Sequence, residues 1–450
     1  MSQDNRARLK QWLESGEARL QPLTLPQREL WEASPVAAGD PANHICACLH
    51  IGGRVTPEGS EAALQKVVDR QEVFRSSFLP GKDKPMQLIR RTAKANIVMR
   101  EVPAAKDRPE LIDEIAQDVF YRPFDMVGGP LYRGEVLSSS ATEHVLLMSI
   151  HHAIADGWSL GVFVQDLFAA YLQNHSKDSG APLPPVPMSY SAWAAAERAF
   201  WQQPSELEPR AEFWKNNLKG SSRIWKGDSQ PRGPRQRWVT HVPAELGKSV
   251  RELARRHGAT LYSTLLAAFQ ITLSKWTGAD DILVGTPVAN RGRQGAKELM
   301  GYCAGIVPVR GQIDRSRKFS DTLRSVHQSA LDSFANAMPF AELAKAMNEP
   351  ATEGRNPLFE VRFALQNHPV PDIEVAGFSL RLRMGSTGTY RFDLACEVTE
   401  EGDELEVVWL YRQGMFSMGD IQALHRMYQG TLAGVCASPE ILTSALMTSL

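Results

Sequence analysis

The sequence has none of the features that would place the chain in a membrane, on nucleic acid or in a secretory pathway. No apolar run in its 450 residues reaches the roughly 20 residues that span a bilayer, and residues 1–6 lack a signal-peptide core. The formal net charge of −1 provides no cationic excess for nucleic acid. We therefore expect a soluble globular protein of the cytoplasm that binds neither nucleic acid nor a membrane.

Cysteine is also sparse. The five cysteines show neither C-x-x-C spacing nor histidines at metal-ligand spacing. Neither a zinc site nor a disulfide framework is therefore indicated. We expect buried thiols and no bound metal.

Glycine-rich phosphate motifs are missing as well. The sequence contains no Rossmann or P-loop pattern, no adenylation core and no Gly-Gly-x-Ser site for a phosphopantetheine arm. The sequence therefore offers no recognisable motif for binding a nucleotide or for carrying a covalently attached substrate.

What the sequence does contain is a polar turn at the end of an apolar run. Residues 145–150 predict a buried strand, and the motif His-His-x-x-x-Asp-Gly follows directly at 151–157. Because successive strand side chains point to opposite faces, His151 and His152 cannot share one role, so that one should face the substrate and the other should be structural. Asp156 is suited to orient a neighbouring group or to cap the following helix. Gly157 has no Cβ and suits a place where another group must pass close to the backbone. The arrangement indicates proton-transfer chemistry.

The same segment matches a second motif. Residues 157–161, Gly-Trp-Ser-Leu-Gly, fit the G-x-S-x-G nucleophile elbow of α/β-hydrolases, in which the serine lies immediately between a strand and a helix. Here six residues separate the strand from Gly157. We therefore favour Ser159 as an N-cap or first-turn residue of the following helix, with a hydrolase as the weaker alternative.

The turn and the segments around it resemble the condensation domains of nonribosomal peptide synthetases. The residues similar to that family's core motif are His151, His152, Asp156, Gly157 and Ser159. Further segments resemble other motifs of the family in the family's order, at residues 25–31, 69–78, 123–131, 190–193, 284–291 and 355–367. The collinear order extends the resemblance over nearly the whole chain.

Three departures from the family pattern bear on substrate class. Gln71 replaces the usual histidine of the second motif, and Cys303-Ala304-Gly305 replaces the common Phe-Val-Asn. Residues 336–340 lack the usual Gln-Asp. The smaller residues at 303–305 would widen a channel for an extended apolar chain, or would simply pack loosely.

Periodicity predicts a mixed α/β chain with two lobes. The resemblance implies more: two chloramphenicol-acetyltransferase-like lobes in a V-shaped pseudo-dimer, with the active site at the lobe junction. The proline-rich stretch at 176–187 is typical of an extended linker. We expect a leader over 1–20, a first lobe over 21–178 and a second lobe over 179–450 that includes lobe-bridging segments.

Individual elements follow from the same periodicity. The predicted strands are 44–51, 145–152, 282–288 and 361–366; the predicted helices are 58–71, 112–120, 261–276, 319–334 and 418–435; and a hairpin is predicted from 393–400 and 405–412.

The resemblance implies amide formation between an upstream acyl or peptidyl thioester and the amine of a downstream aminoacyl thioester. An imidazole with a pKa of about 6.5 is suited to take or hold the proton, and we expect His152 to do so. Whether it removes the proton or only orients the amine stays open. His151, Asp156 and Gly157 complete the expected catalytic set.

Positions that match other motifs of the family suggest residues that support the catalytic set. The resemblance implies that Asp156 pairs with Arg291, with a surface loop cation as the alternative for that arginine. Arg70 is expected to support the same centre. We expect Trp158, Ser159 and Gly305 to line the substrate channel.

The family binds no cofactor of its own. Its substrates ride on 4'-phosphopantetheine arms of carrier proteins, or the donor is an acyl-CoA. The implied partners are an upstream acyl or peptidyl carrier, a downstream peptidyl carrier protein and an adjoining adenylation domain. Residues 437–450 resemble the start of a linker to a following domain.

The position of the motifs near residue 20 predicts a chain-initiating domain that N-acylates the first amino acid with a fatty acyl group. The alternatives are an elongation domain that receives a peptidyl donor in trans and, from a different class, a non-catalytic carrier-recruitment module. An epimerization domain shares the core motif but carries other motifs not found here. The Asp-Phe-Gly-Trp-Gly signature of CoA-dependent acyltransferases is absent.

Overall fold

The computed structural model describes residues 3–33, 41–80, 84–103, 110–174, 182–225, 235–349, 356–366, 372–375, 377–385 and 392–448. The predicted linker therefore lies partly outside the described residues, at 176–181. The same holds for Arg355 and Asn367 of the later motifs. Among the described residues, no helix combines the length and apolarity that crossing a bilayer requires.

The helices are numbered in chain order. They are α1 (Gln3–Glu14), α2 (Leu25–Ala33), α3 (Pro57–Arg70), α4 (Leu111–Tyr121), α5 (Gly157–Asn174), α6 (Tyr190–Trp201), α7 (Pro204–Asn217), α8 (Ala244–Arg256), α9 (Leu261–Thr277), α10 (Phe319–Ala335), α11 (Phe340–Ala346), α12 (Met418–Ala437) and α13 (Thr443–Thr448).

The strands are β1 (Ala18–Pro22), β2 (His44–Gly52), β3 (Ser76–Leu79), β4 (Met86–Arg90), β5 (Ile97–Glu101), β6 (Tyr132–Ser138), β7 (Glu143–His151), β8 (Arg235–Val242), β9 (Asp281–Val288), β10 (Gly305–Gln312), β11 (Val361–Gln366), β12 (Ile373–Val375), β13 (Phe378–Gly385), β14 (Leu394–Glu401) and β15 (Glu404–Arg412).

Contacts divide the chain into two compact units. The first comprises Met1–Trp201, Ala289–Ala304 and His368–Thr387, and the second comprises Gln202–Val288, Gly305–Asn367 and Gly388–Leu450. Each unit has a six-stranded sheet and flanking helices. The prediction of an α/β fold with two lobes is confirmed.

In the first unit, β7 lies inside a six-stranded sheet of order β12-β13-β2-β7-β6-β5. It pairs antiparallel with both β2 and β6. The strand is apolar without alternation because both its faces are buried. Leu146, Met148 and Ile150 lie in the main core, whereas Val145 and Leu147 lie in a second cluster with α4. The polar turn therefore starts from a strand that is fixed on both faces.

In the second unit, the sheet has the order β10-β9-β11-β14-β15-β8. Helix α9 is buried along most of its length behind this sheet, which matches its apolar sequence. The Thr260 side chain caps its start, and Gly278 ends it with a φ of 76°. Hairpin β14–β15 turns at Gly402, whose φ is 59°.

The division between units differs from the expected boundary at 178/179. The first unit continues to Trp201 because α6 buries its aromatic residues there: Trp193 is 0% exposed in the first unit's core. The Tyr190 hydroxyl lies 3.0 Å from Thr24 Oγ1 in the same unit. Two later segments, Ala289–Ala304 and His368–Thr387, also join the first unit. A local linker signal cannot reveal such returns of the chain.

Candidate active site

His151, the last residue of β7, is enclosed. It is 3% exposed, and its ring lies near the rings of His44 and Phe124, with centroids 6.0 Å and 6.1 Å away. Its Nδ1 accepts a hydrogen bond from Ala153 N at 3.1 Å, so a neutral ring carries its proton on Nε2. This histidine packs inside the fold.

His152 is the more exposed histidine of the pair. Its backbone N donates to Asn43 O at 2.6 Å, which fixes the main chain just beyond the strand. Its half-buried imidazole lies against the ring of Tyr302, with centroids 4.5 Å apart and planes inclined at 59°. Of the two histidines, His152 is therefore the one with a partly open ring.

Asp156 is a saturated carboxylate that is 2% exposed. Oδ1 accepts from Arg291 Nη2 at 2.8 Å, from Ser159 N at 3.0 Å and from Ser159 Oγ at 2.8 Å. Oδ2 accepts from Cys303 N at 3.0 Å and from Ala304 N at 3.1 Å. These five donors already exceed the roughly four lone-pair sites of a carboxylate. The arrangement suits an anchor and does not suit a base that takes a substrate proton.

Arg291 is 5% exposed, which does not fit a surface loop cation. Its Nη1 donates to Ala296 O at 3.0 Å and to Leu299 O at 2.6 Å, so it also shapes its own segment. Nη2 reaches Asp156, Ser159 Oγ at 3.1 Å and the carbonyl oxygen of residue 301 at 3.1 Å. One planar guanidinium thus joins the polar turn to segment 289–304.

Ser159 lies in the first turn of α5 and is 0% exposed. Its N donates to Asp156 Oδ1 at 3.0 Å, and its Oγ accepts from Asp156 N at 3.2 Å, the reciprocal pair of a capping arrangement. The hydroxyl also accepts from Gly301 N at 3.1 Å and lies 3.0 Å from Gly301 O. A substrate carbonyl cannot reach this oxygen, so the geometry gives no support to the hydrolase alternative.

Gly157 and Trp158 begin α5 in different environments. Gly157 is exposed, and a Cβ built on it would meet no atom of the described residues within 4 Å. Trp158 is half-buried, and its Nε1 donates to Lys297 O at 2.9 Å. The open side of the turn is at Gly157, while Trp158 ties the helix to segment 289–304.

Gln71 is a further anchor of that segment. It is 2% exposed, and its Nε2 donates to Glu298 O at 3.1 Å and to Asp166 Oδ2 at 2.9 Å. Its Oε1 accepts from Met300 N at 3.0 Å. The amide therefore uses both of its donors and its acceptor. The sequence marks this position as unusual, because the family usually has histidine there, but does not reveal these partners.

Arg70 lies beside Gln71. It forms an ion pair with Asp166, donates to Pro184 O at 2.7 Å and lies 3.7 Å from the Glu298 carboxylate. It therefore bridges α3, α5 and segment 289–304.

Gly305 is the first residue of β10 in the second unit. It pairs with Val288, and a Cβ at this position would lie 3.4 Å from Val288 Cγ2. Cys303, by contrast, belongs to the first unit's core and is 0% exposed.

Sequence reasoning did not find two buried residues, one of which holds the turn and the other segment 289–304. Gln27 Nε2 donates to Ala153 O at 2.8 Å, and the Tyr190 hydroxyl donates to Tyr302 O at 2.8 Å. Burial raises the pKa of Tyr190 well above its ordinary value, so that this hydroxyl keeps its proton. Both residues fall in segments that resemble family motifs, and this was the one signal that could have found them.

The surroundings of the five cysteine thiols make them unreactive. Burial raises the pKa of Cys46 to about 12 and that of Cys48 and Cys436 to about 11. Burial also raises the pKa of Cys303 and Cys396 well above the ordinary value. None of these thiols forms the thiolate that nucleophilic or redox chemistry needs at neutral pH.

One group of described residues has the composition of a metal-ligand set. The ligand atoms of His241, Glu401 and Glu406 lie within 4.8 Å of one another on the sheet of the second unit. His241 is exposed, and exposed acidic groups commonly cluster without a metal. The polar turn belongs to the first unit and is not part of this group.

Known proteins resemble the chain over nearly its whole length. A family model described as "Condensation domain" matches residues 17–449. The chain is 28% identical over 438 residues to one component of the linear gramicidin synthase of Brevibacillus parabrevis, and 30% identical over 440 residues to another component of that synthase. These alignments cover 94% and 93% of this chain but 8% of each relative.

A solved structure shows the same fold. The first condensation domain of the calcium-dependent antibiotic synthetase, in complex with a substrate analogue, matches with a TM-score of 0.81 and 18% identity. The match covers 95% of this chain and 98% of that chain. At this identity the likeness shows the fold alone.

Proposed function

The chain belongs to the condensation-domain family, and from this premise we propose that it joins an upstream acyl or peptidyl thioester to the amine of a downstream aminoacyl thioester. The observation that carries the proposal is the division of roles in the polar turn. Asp156 is fully used by five donors. The half-buried imidazole of His152 therefore remains as the turn's group for proton transfer.

The reaction is an aminolysis. The amine nitrogen attacks the thioester carbonyl carbon, the C–N bond forms, and the carbonyl oxygen becomes an oxyanion. When the tetrahedral intermediate collapses, the C–S bond breaks and the thiolate leaves. The proton lost by the amine passes through His152 to that thiolate, so the step balances without an added co-reactant.

His152 supplies part of the rate enhancement. General base help is worth about 10²–10⁴-fold. The rest must come from holding amine and carbonyl in the attack geometry and from stabilising the oxyanion. Asp156 and Arg291 contribute by fixing the turn and segment 289–304 against each other.

The partners follow from the chemistry of tethered substrates. We propose that carrier proteins deliver both thioesters on 4'-phosphopantetheine arms, with acyl-CoA as an alternative donor, and that an adenylation domain loads the downstream carrier. The relatives are much longer than this chain, which spans 8% of their length, so the activity of a whole synthetase is a proposal here.

The donor class is a narrower proposal. We infer a fatty acyl donor and therefore N-acylation of the first amino acid, with a peptidyl donor in trans as the second candidate. Of the three small residues that favour a wide channel, Cys303 gives no support, because its side chain is 0% exposed in the core. Ala304 and Gly305 are half-buried. The inference of a wide channel therefore depends on these two residues alone.

Mass spectrometry of a loaded downstream carrier tests these proposals. The protein is incubated with that carrier and, in separate reactions, with acyl-CoA, an acyl carrier, an aminoacyl carrier or a peptidyl carrier. A mass gain equal to the donor acyl group is expected with the acyl donors. Transfer from amino or peptidyl donors alone rejects the fatty acyl donor and keeps amide formation. Binding of carriers without product from any donor favours the recruitment module.

A further inference from the structure

We propose that Tyr302 is a positioning residue for His152, and that Asp156 and Ser159 act on the chemistry by fixing Tyr302. The inference rests on the proposed function, since it assigns the means by which the reacting imidazole is oriented. It also gives the buried carboxylate of the motif a definite target. Tyr302 itself need not touch the substrate.

The ring of Tyr302 lies against the imidazole of His152. The centroids of His152 and Tyr302 lie 4.5 Å apart at an inclination of 59°, within the range at which aromatic rings attract each other. The backbone of His152 is fixed by the bond from its N to Asn43 O at 2.6 Å. With the main chain fixed, the position of the imidazole depends on its side-chain torsions. The ring of Tyr302 restricts those torsions on one side.

The chain before Tyr302 is fixed by Ser159. Its Oγ accepts from Gly301 N at 3.1 Å and lies 3.0 Å from Gly301 O. Residue 301 must be glycine, because a Cβ there would lie 2.2 Å from the Tyr190 ring. The same Tyr190 donates its hydroxyl proton to Tyr302 O at 2.8 Å. Residues 301 and 302 therefore have little freedom to shift.

The chain after Tyr302 is fixed by Asp156. Its Oδ2 accepts from Cys303 N at 3.0 Å and from Ala304 N at 3.1 Å. Asp156 and Ser159 are thus bonded on both sides of a single residue, and that residue is the one whose ring lies on His152. The fixed spacing within the motif places base and anchor in one turn, and the anchor holds the ring that faces the base.

The aromatic ring, and not the phenol hydroxyl, makes the contact in this proposal. Tyr302→Phe should therefore keep kcat within about twofold of the wild type. Tyr302→Leu should lower kcat by about 10²-fold, which is the loss expected from a misplaced reacting group. The KM for each carrier should stay within about twofold, because the imidazole and not the carrier surface is disturbed. Tyr121→Leu removes an exposed tyrosine from the same unit and serves as the control.

Two readouts separate positioning from a merely structural role. The pH dependence of kcat should shift its acidic limb in Tyr302→Leu and keep it in Tyr302→Phe, since the ring faces the titrating imidazole. In protein with ¹³C-labelled histidine, the His152 signal is identified by its loss in His152→Gln. That signal should move in Tyr302→Leu and stay near its wild-type position in Tyr302→Phe.

The outcomes distinguish the two proposals. A wild type that makes no amide with any carrier pair rejects the proposed function, while the labelled-histidine spectra still test the ring contact. Wild-type kcat and an unmoved His152 signal in Tyr302→Leu overturn the positioning role. An equal loss of kcat in Tyr302→Phe and Tyr302→Leu overturns it too, because the hydroxyl would then be the essential group.

Discussion

Arg291 Nη2 lies 2.8 Å from Asp156 Oδ1, and each side chain is 2% exposed, although 135 residues separate the two along the chain. Removing two charges from water costs several kcal/mol per ion, so such a pair needs further hydrogen bonds. The pair has them: Arg291 also donates to three carbonyl oxygens, and Asp156 also accepts from the N–H groups of residues 303 and 304.

Asp156→Ala should lower the free energy of unfolding by about 3–5 kcal/mol, because it leaves the buried guanidinium without its anion. Urea denaturation with a circular-dichroism readout measures this change. Glu14→Ala removes a carboxylate from an exposed pair with Lys10, whose atoms lie 3.7 Å apart, and should leave stability near the wild type. Equal stability of Asp156→Ala and the wild type would contradict the buried-pair interpretation.

His152→Ala should reduce amide formation by about 10²–10⁴-fold, the usual value of general base help. Folding should survive because the side chain is only half-buried. Product mass on the downstream carrier gives the rate, and His50→Ala removes an exposed histidine from the same unit as the control. If His152→Ala is as active as the control, a group other than His152 handles the proton.

Ser159→Ala separates anchoring from nucleophilic catalysis. Loss of the hydroxyl leaves the buried Gly301 N without its acceptor, which should cost about 1–3 kcal/mol of stability. Under conditions where the variant is folded, amide formation should fall only in part, because Gly301 and Tyr302 are held less firmly, whereas loss of a nucleophile would abolish it. A fluorophosphonate should label neither protein, because Ser159 is 0% exposed. Labelling of the wild type together with a dead Ser159→Ala variant would revive the hydrolase alternative.

Some elements could be predicted from the sequence with good accuracy. The helix expected over 261–276 is α9, which spans Leu261–Thr277, and Gly278 is its C-cap. The expected hairpin matches β14 (Leu394–Glu401) and β15 (Glu404–Arg412). These signals are local: an apolar period, a capping threonine and a glycine that tolerates positive φ.

The tertiary part of the candidate site could not be predicted in this way. The bond from Met300 N to Gln71 Oε1 joins residues 229 positions apart, and no periodicity in the sequence records it. The same holds for the return of Ala289–Ala304 to the first unit. The pairing of Asp156 with Arg291 was expected only through the family resemblance, since a lone arginine in a loop has no local signature of burial.

Gly157→Leu tests whether the open side of the turn is used by substrate. A side chain there meets no described atom within 4 Å of its Cβ, so the melting temperature should stay near that of the wild type. If tethered substrate passes this residue, amide formation should fall strongly while carrier binding persists. Full activity of Gly157→Leu would show that substrate takes another route.

The stability of the second unit should depend on pH through His425. Burial lowers the pKa of His425 to about 4, and its Nδ1 accepts from Trp409 Nε1 at 3.2 Å, which requires the deprotonated nitrogen. In the unfolded chain the same group titrates at about 6.5. Between those two values the unfolded state binds the proton and the folded state does not.

The free energy of unfolding should therefore decrease as the pH falls. The contribution of His425 is fully favourable above about pH 6.5 and is lost as the pH falls toward about 4, with a slope of at most about 1.4 kcal/mol per pH unit. His425→Gln retains an acceptor for Trp409 but cannot titrate, so its unfolding free energy should fall less steeply over this range. Urea denaturation at a series of pH values from about 7 to about 4 measures both slopes. Parallel curves for the two proteins would show that His425 keeps its ordinary pKa in the folded state.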